Sequence, residues 1–303
     1  MFDLFKKKNK KKEELVENIV QEFASDEVKL VEEKESPFAL YLLFSKQFVL
    51  RKDEVERRIK GINNDIVTVG TVADFDGKDA LYFYAEINEH RFKLIGIETP
   101  IPDEIASYTI NCSYGNEIEL RKMKEHSYHV IAFYEGKCTD KNKVFNAYSK
   151  LAYGLLEHGL LGMANPYSWN CIIPSLIKGM VEDESAKILA TMPAMMVWRN
   201  FIKMPYKDGV WFVTKGNNLY DIYEYAYFGV FEDSNEVYEI FESIFNYVYD
   251  TKSAILSGHT MQIDKDVYLR FREVYELEND LQGEGIGTLV IEKIRSNEIN
   301  MIN

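Results

Sequence analysis

Residues 211–231 read WFVTKGNNLYDIYEYAYFGVF, followed by DSNEVYEIFESIFNYVYD at 233–250, LSGHTMQIDKDVYLRFREVYEL at 256–277 and GIGTLVIEKI at 285–294. The order is strand, helix, strands: a sheet with one amphipathic helix lying on it. Val237, Ile240, Phe241, Ile244, Phe245 and Val248 recur at helical spacing and form one apolar stripe. Glu236, Glu239, Glu242 and Asn246 take the opposite side. Asp233 and Glu236 have the spacing of a capping box at the helix start. This assignment predicts a cost of ~3–5 kcal/mol for Phe241→Ala. For Glu242→Ala, on the outer face, it predicts no more than about 0.5 kcal/mol.

Upstream, 38–44 (FALYLLF) is a short apolar run that suits a buried strand, and 51–61 a helix with Val55 and Ile59 inward. Residues 66–75, 80–87 and 91–97 read as a three-stranded meander, with Asp76-Gly77 at its first turn. A polar helix is expected at 116–125 and a central strand at 128–134. A helix at 142–158 closes on Gly159, and further helical stretches cover 174–180 and 183–192. Strands at 197–204 and 210–214 flank a second Asp-Gly turn. Hairpins exclude a purely parallel sheet. The fold class expected is α+β: antiparallel or mixed sheets with helices packed on their faces, two related α+β units being one arrangement. The divisions read from the sequence are a charged tail and linker at 1–37, units at 38–140 and 141–296, and a polar tail at 297–303.

The succession of YHVIAF, NAYSKLAYGLLEHG, GMANPYSW, VWRNFIKM, GVWFVTKG, IYEYAYF, SGHTMQI and GTLVIEKI resembles bacterial proteins of the domain of unknown function 4261. Thr214-Lys215-Gly216, Gly258-His259-Thr260 and Gly287-Thr288-Leu289 are the best-matching stretches, over about residues 38–294. The chain departs from the family around 219–225, which has few of its acidic and glycine positions. The resemblance implies a fold and a bacterial cytosolic setting, and no mechanism.

Composition narrows the function. The 49 acidic and 36 basic side chains leave a net charge of -13, which repels phosphate backbones and argues against nucleic acid. Residues 1–12 carry +5, so 13–303 hold -13 - 5 = -18. Cys112, Cys138 and Cys171 are few and form no Cys-x-x-Cys, as expected of a reducing cytosol without a zinc site. No apolar run has the length of a membrane span, and the lysines of 6–12 precede no apolar core of a secretory signal. Those lysines follow Met1, Phe2, Leu4 and Phe5, a composition that fits a mobile tail or a weak contact with an anionic membrane.

No catalytic constellation is legible, and no cofactor or metal is expected. His126 and His129 have a metal-like spacing only on a helix, and Tyr128 opens a strand between them. His158 reads as a favourable charge at a helix C-terminus. Gly283-Glu284-Gly285-Ile286-Gly287 precedes a strand rather than a helix, so it reads as a turn and not a phosphate loop. Cys171 reads as a small buried hydrophobe, and Glu239 and Glu242 as a solvated helix face. The 20 tyrosines stand out. Alternation along 222–230 puts Tyr223, Tyr225 and Tyr227 on one strand face and Ile222, Ala226, Phe228 and Val230 on the other. The second set is expected beneath the helix, leaving the tyrosines to pack on another layer or meet a partner. The function expected is a non-enzymatic, regulatory or immunity-like module in the cytoplasm that binds a basic protein partner. The binding residues expected are Tyr223, Tyr225, Tyr227, Tyr167, Trp169 and His259. The alternative is an enzyme of unrecognised type with a cleft near Tyr167, Trp169 and His259.

Overall fold

The computed structural model describes residues 38–71, 81–183, 194–282 and 285–299. The lysine-rich segment at 1–12, the linker up to 37, the Asp76-Gly77 turn, most of the expected helix at 183–192, and Gly283-Glu284 lie outside them. The described residues form one compact unit.

The first sheet holds seven strands in the order β2-β3-β4-β5-β1-β6-β7, every neighbour antiparallel. They are β1 Ala39–Phe44, β2 Val67–Thr71, β3 Tyr82–Ile87, β4 His90–Ile97, β5 Tyr128–Tyr134, β6 Leu160–Asn165 and β7 Asn170–Ile172. The meander and the central β5 appear as the sequence predicts. The expected boundary near 140 does not separate the sheets. β6 and β7 belong to the first one, because Leu43 pairs with Gly162 and Tyr41 with Ala164.

Helices α1 Lys52–Asn63, α4 Lys141–Gly154 and α5 Pro174–Glu182 cover one face, where Val55, Ile59, Phe145, Leu151 and Ile177 meet Leu40, Leu42 and Val130. Helix α2 Asp103–Thr109, which the sequence reading passes over, and α3 Glu117–Lys124 cover the other, around Leu43, Met123 and Cys171. α1 runs through Gly61 and ends at Asn64, which takes the left-handed cap conformation at φ 53°. Cys171 is a buried hydrophobe as expected, its Sγ 3.2 Å from the sulfur of Met123.

The second sheet is ordered β11-β12-β13-β10-β9-β8. Its strands are β8 Asn200–Tyr206, β9 Gly209–Lys215, β10 Glu224–Gly229, β11 Thr260–Asp264, β12 Val267–Arg272 and β13 Thr288–Arg295, and its one parallel pair is β10 with β13. Helix α6, Ser234–Thr251, lies on one face with Val237, Phe241, Ile244, Phe245 and Val248 buried. The stripe is as predicted; the cap is not. Asp233 makes no side-chain bond to α6. Its carboxylate instead accepts from the Val230 amide, closing the short turn Phe231–Asp233.

The strand faces of β10 are reversed relative to the sequence reading, whereas Ile222, just before the strand, lies in the cluster beneath α6 as expected. Tyr225 is 1% exposed in the cluster beneath α6, with Phe241, Phe245 and Phe271, and Tyr223 and Tyr227 border that cluster. Ala226 joins Trp211, Val213 and Val290 on the opposite face, and Phe228 and Val230 are exposed. Tyrosine carries both an apolar ring and a polar tip, so a tyrosine face suits a helix-covered layer whose hydroxyls reach its margin.

Four histidines are parts of the framework. His126 accepts from the Ile101 amide through Nε2 at 2.9 Å and donates through Nδ1 to the Met123 carbonyl at 2.6 Å. His129 Nδ1 bonds the Thr99 carbonyl, and His90 Nδ1 the Tyr134 hydroxyl. His158 accepts from the Arg51 amide at 3.0 Å. It is therefore held neutral, not charged at a helix end. Burial pushes all four below their ordinary value of 6.5. A folded pKa below the unfolded one favours the neutral ring. Their contribution to stability is thus complete above about pH 6.5 and is lost as pH falls from there towards the folded values. Glu224, whose carboxyl burial raises, has the opposite slope. The urea midpoint is expected to fall between about pH 7.5 and about pH 5.5, and His126→Gln to flatten that slope. A slope that His126→Gln leaves unchanged would show that this ring is not held neutral.

Among the described residues, no helix is long and apolar enough to cross a membrane.

Candidate functional site

The site is built on the polar run Thr214-Lys215-Gly216-Asn217-Asn218, where β9 turns into β10. Gly216 has φ 101°, and a Cβ there would come within 2.9 Å of the Trp198 carbonyl oxygen and the Ser168 side chain. Glycine is required on both counts. Asn217–Tyr220 then make a 3-10 turn closed by Asp221 at φ 57°.

A buried carboxylate holds this turn. Glu224, 2% exposed, accepts from the Thr214 hydroxyl at 2.7 Å, the Gly216 amide at 2.7 Å and the Asn218 amide at 3.2 Å. Burial raises its carboxyl above the ordinary range, and those donors oppose the shift. Asn217 donates to Thr214 Oγ1 and to the Tyr223 carbonyl. Its side-chain oxygen accepts from Arg199 Nη1 at 3.2 Å.

Arg199 is the more deeply buried cation of the site, 1% exposed against 5% for Lys215. Its guanidinium lies 3.4 Å from the ring centroid of Phe245 and pairs through Nη2 with Glu242 on α6. Burial pulls its pKa down while Glu242 keeps it charged. Glu242 is therefore no part of a purely solvated face: its side chain is 27% exposed and is committed to Arg199.

This network continues to the first sheet. Asn142, near the start of α4, accepts from the Tyr220 hydroxyl at 3.1 Å and donates to the Tyr249 hydroxyl at 3.2 Å. Tyr249 stacks on Phe245 with centroids 5.7 Å apart, and Tyr220 meets Phe245 edge-on at 5.8 Å. Above these rings a cleft of about 470 Å³ opens between the 220–225 segment, the end of α6 and Ile286. Its walls include Tyr220, Tyr223, Tyr225 and Tyr249, with Asp221 and Lys252 as its charged residues. The Lys252 ammonium lies 4.1 Å from the Tyr249 ring centroid. Burial raises the phenols of Tyr220 and Tyr225, so they remain protonated donors.

Of the residues expected to bind, the structure brings Tyr223 and Tyr225 to this cleft. Tyr227 is not among its lining residues. Tyr167 stacks on Phe38 at 4.7 Å and accepts from the Ala39 amide. Trp169 has φ 52° and lies against Tyr108 and the Lys215 ammonium, which is 4.3 Å from its ring. His259 is exposed at the start of the β11–β12 hairpin, at the opposite edge of the second sheet from β8. The cleft expected to join Tyr167, Trp169 and His259 is therefore not formed: Trp169 is tied to β8 through Asn200, and His259 belongs to the far edge. Among the described residues no group of three or more His, Cys, Asp or Glu is placed to hold a metal ion.

Arg199, Glu224, Glu242, Asn142 and Lys252 escape the sequence reading. The one signal for them is the polar run 214–218 between two apolar strands, which demands buried partners for its amides.

No known protein family, curated protein or solved structure matches this chain.

Proposed function

We propose that the chain is a non-enzymatic, cytosolic binding module whose acidic body docks a basic protein partner in a regulatory or immunity-like role. Charge carries this reading: 49 acidic against 36 basic side chains overall, and -13 - 5 = -18 over residues 13–303. A field of that sign attracts a basic surface, discriminates against acidic ones and is screened over about 8 Å at physiological salt. The framework supports it. Thr214, Asn217, Arg199 and Glu224 spend their polar groups on one another, which fixes a rigid buried framework instead of leaving reactive groups poised in a cleft. The resemblance to the domain of unknown function 4261 adds a bacterial setting.

Capture on the immobilised full-length protein from host lysate tests the reading. The expected result is capture of proteins of basic isoelectric point that are released as salt rises from about 50 to about 300 mM. Nothing above background at low salt, or partners indifferent to salt, would sink it.

A further inference from the structure

The tyrosine cleft has a chemistry of its own. Ile222, Val248 and Ile255 give it an aliphatic wall, and Ile286, 45% exposed, extends that wall to the rim. Tyr223 and Tyr249 contribute aromatic surface, and ring faces attract cations. Asp221 stands at the margin, exposed. The last turn of the 18-residue helix α6 ends at the cleft, and a helix C-terminus carries partial negative charge. An aliphatic stem with a cationic head is the shape these parts fit: apolar methylenes against the wall, and a positive tip between rings, acid and helix end. The chain supplies an example. Lys252, at the C-cap of α6, lays its own ammonium over Tyr249 at 4.1 Å.

We infer that this cleft is the pocket for one arginine or lysine side chain of the basic partner, and that Lys252 is its internal occupant until the partner arrives. The inference rests on the reading above that the partner is basic. With Lys252 turned away, Asp221 is the one remaining charged side chain among the lining residues, so the lining itself carries one negative charge. An acidic ligand would meet that charge, whereas an incoming cation replaces the one it displaces. Lys252 thereby weakens binding of single cations in solution and leaves the pocket to a side chain delivered by a larger docked surface.

The test uses the full-length protein labelled at isoleucine δ1 methyls, with Ile222, Ile255 and Ile286 as reporters. It is titrated with N-acetyl-arginine amide and with N-acetyl-citrulline amide, which has nearly the same shape and no charge. Arginine amide is expected to shift these three methyls and to bind about fivefold tighter than citrulline amide, the size of one exposed cation–ring contact. Lys252→Gln should tighten arginine binding about threefold, and Asp221→Asn weaken it about threefold. Asparagine tolerates the left-handed backbone at 221, so that variant keeps its fold. Equal affinity for the two amides, shifts confined to other isoleucines, or no shift at tens of millimolar would each overturn the pocket. Salt-sensitive capture of basic proteins that neither variant alters would overturn the pocket and leave the acidic-surface reading standing. Arginine binding in the cleft with no captured partner would do the reverse.

Discussion

Glu242→Ala is expected to lower the unfolding free energy by ~3–5 kcal/mol, the cost of stranding a buried charge. Helical periodicity alone puts the change at no more than about 0.5 kcal/mol. The difference is Arg199, which is 1% exposed and has Glu242 as its carboxylate partner. Two features pull the cost towards the lower end of the range. Asn217 and the Phe245 ring still hold the guanidinium, and the 27% exposure of Glu242 admits water to the gap. Urea titration of three proteins decides the matter: Glu242→Ala, Arg199→Met and the double variant. Removing both charges is expected to restore most of what Glu242→Ala loses, because an apolar replacement has no desolvated charge to strand. If Glu242→Ala costs less than about 1 kcal/mol, the pair is solvent-screened and the buried-cation account is wrong.

Phe241→Ala is expected to cost ~3–5 kcal/mol for a different reason, the loss of a filled volume. The ring is 0% exposed, meets Phe201 edge-on at 5.9 Å and lies 6.1 Å from Tyr225. These neighbours belong to β8 and β10, whose backbones are fixed by ladder bonds on both sides of β9, so the cavity cannot collapse easily. Phe241→Leu should recover more than half of the loss. Urea titrations of double variants separate the two mechanisms. Combining each with Arg199→Met should rescue Glu242→Ala and leave the Phe241→Ala deficit in place. A Phe241→Ala cost below about 1.5 kcal/mol would place the ring outside the core.

Much of the architecture was legible because apolar residues repeat with the period of their element. The stripe of α6 is the clearest case, and the 82–97 hairpin and the central strand at 128–134 follow the same logic. The face of β10 was not legible. Both alternating sets along 222–230 are apolar enough to be buried, and tyrosine counts for either side. The Arg199–Glu242 pair was hidden for a geometric reason. Glu242 lies about 60° around the helix from Phe245, on the flank of the buried stripe and not opposite it. A long side chain on that flank can reach inward, and whether it does depends on a cation arriving from another strand. Arg199, between Trp198 and Asn200, carries no local mark of that destination. The cleft residues met the same limit: Asp221 and Lys252 are 31 positions apart in the chain, and only the docking of α6 against β10 makes them neighbours.

The parallel pairing of β10 with β13 has a consequence for the order of events on the ribosome. Every strand of the first sheet has been synthesised once residue 172 is made. The second sheet has to wait. Tyr225 pairs with Leu289, 64 residues later, and α6 and the β11–β12 hairpin are made in between. Until β13 emerges, one side of β10 has no ladder partner, and the apolar stripe of α6 lacks Leu289 and Ile291 beneath it. At elongation rates of about 5–20 residues per second, that interval lasts several seconds. During it the nascent chain displays an unpaired strand edge beside exposed phenylalanines, the kind of surface that chaperones hold and that neighbouring chains capture.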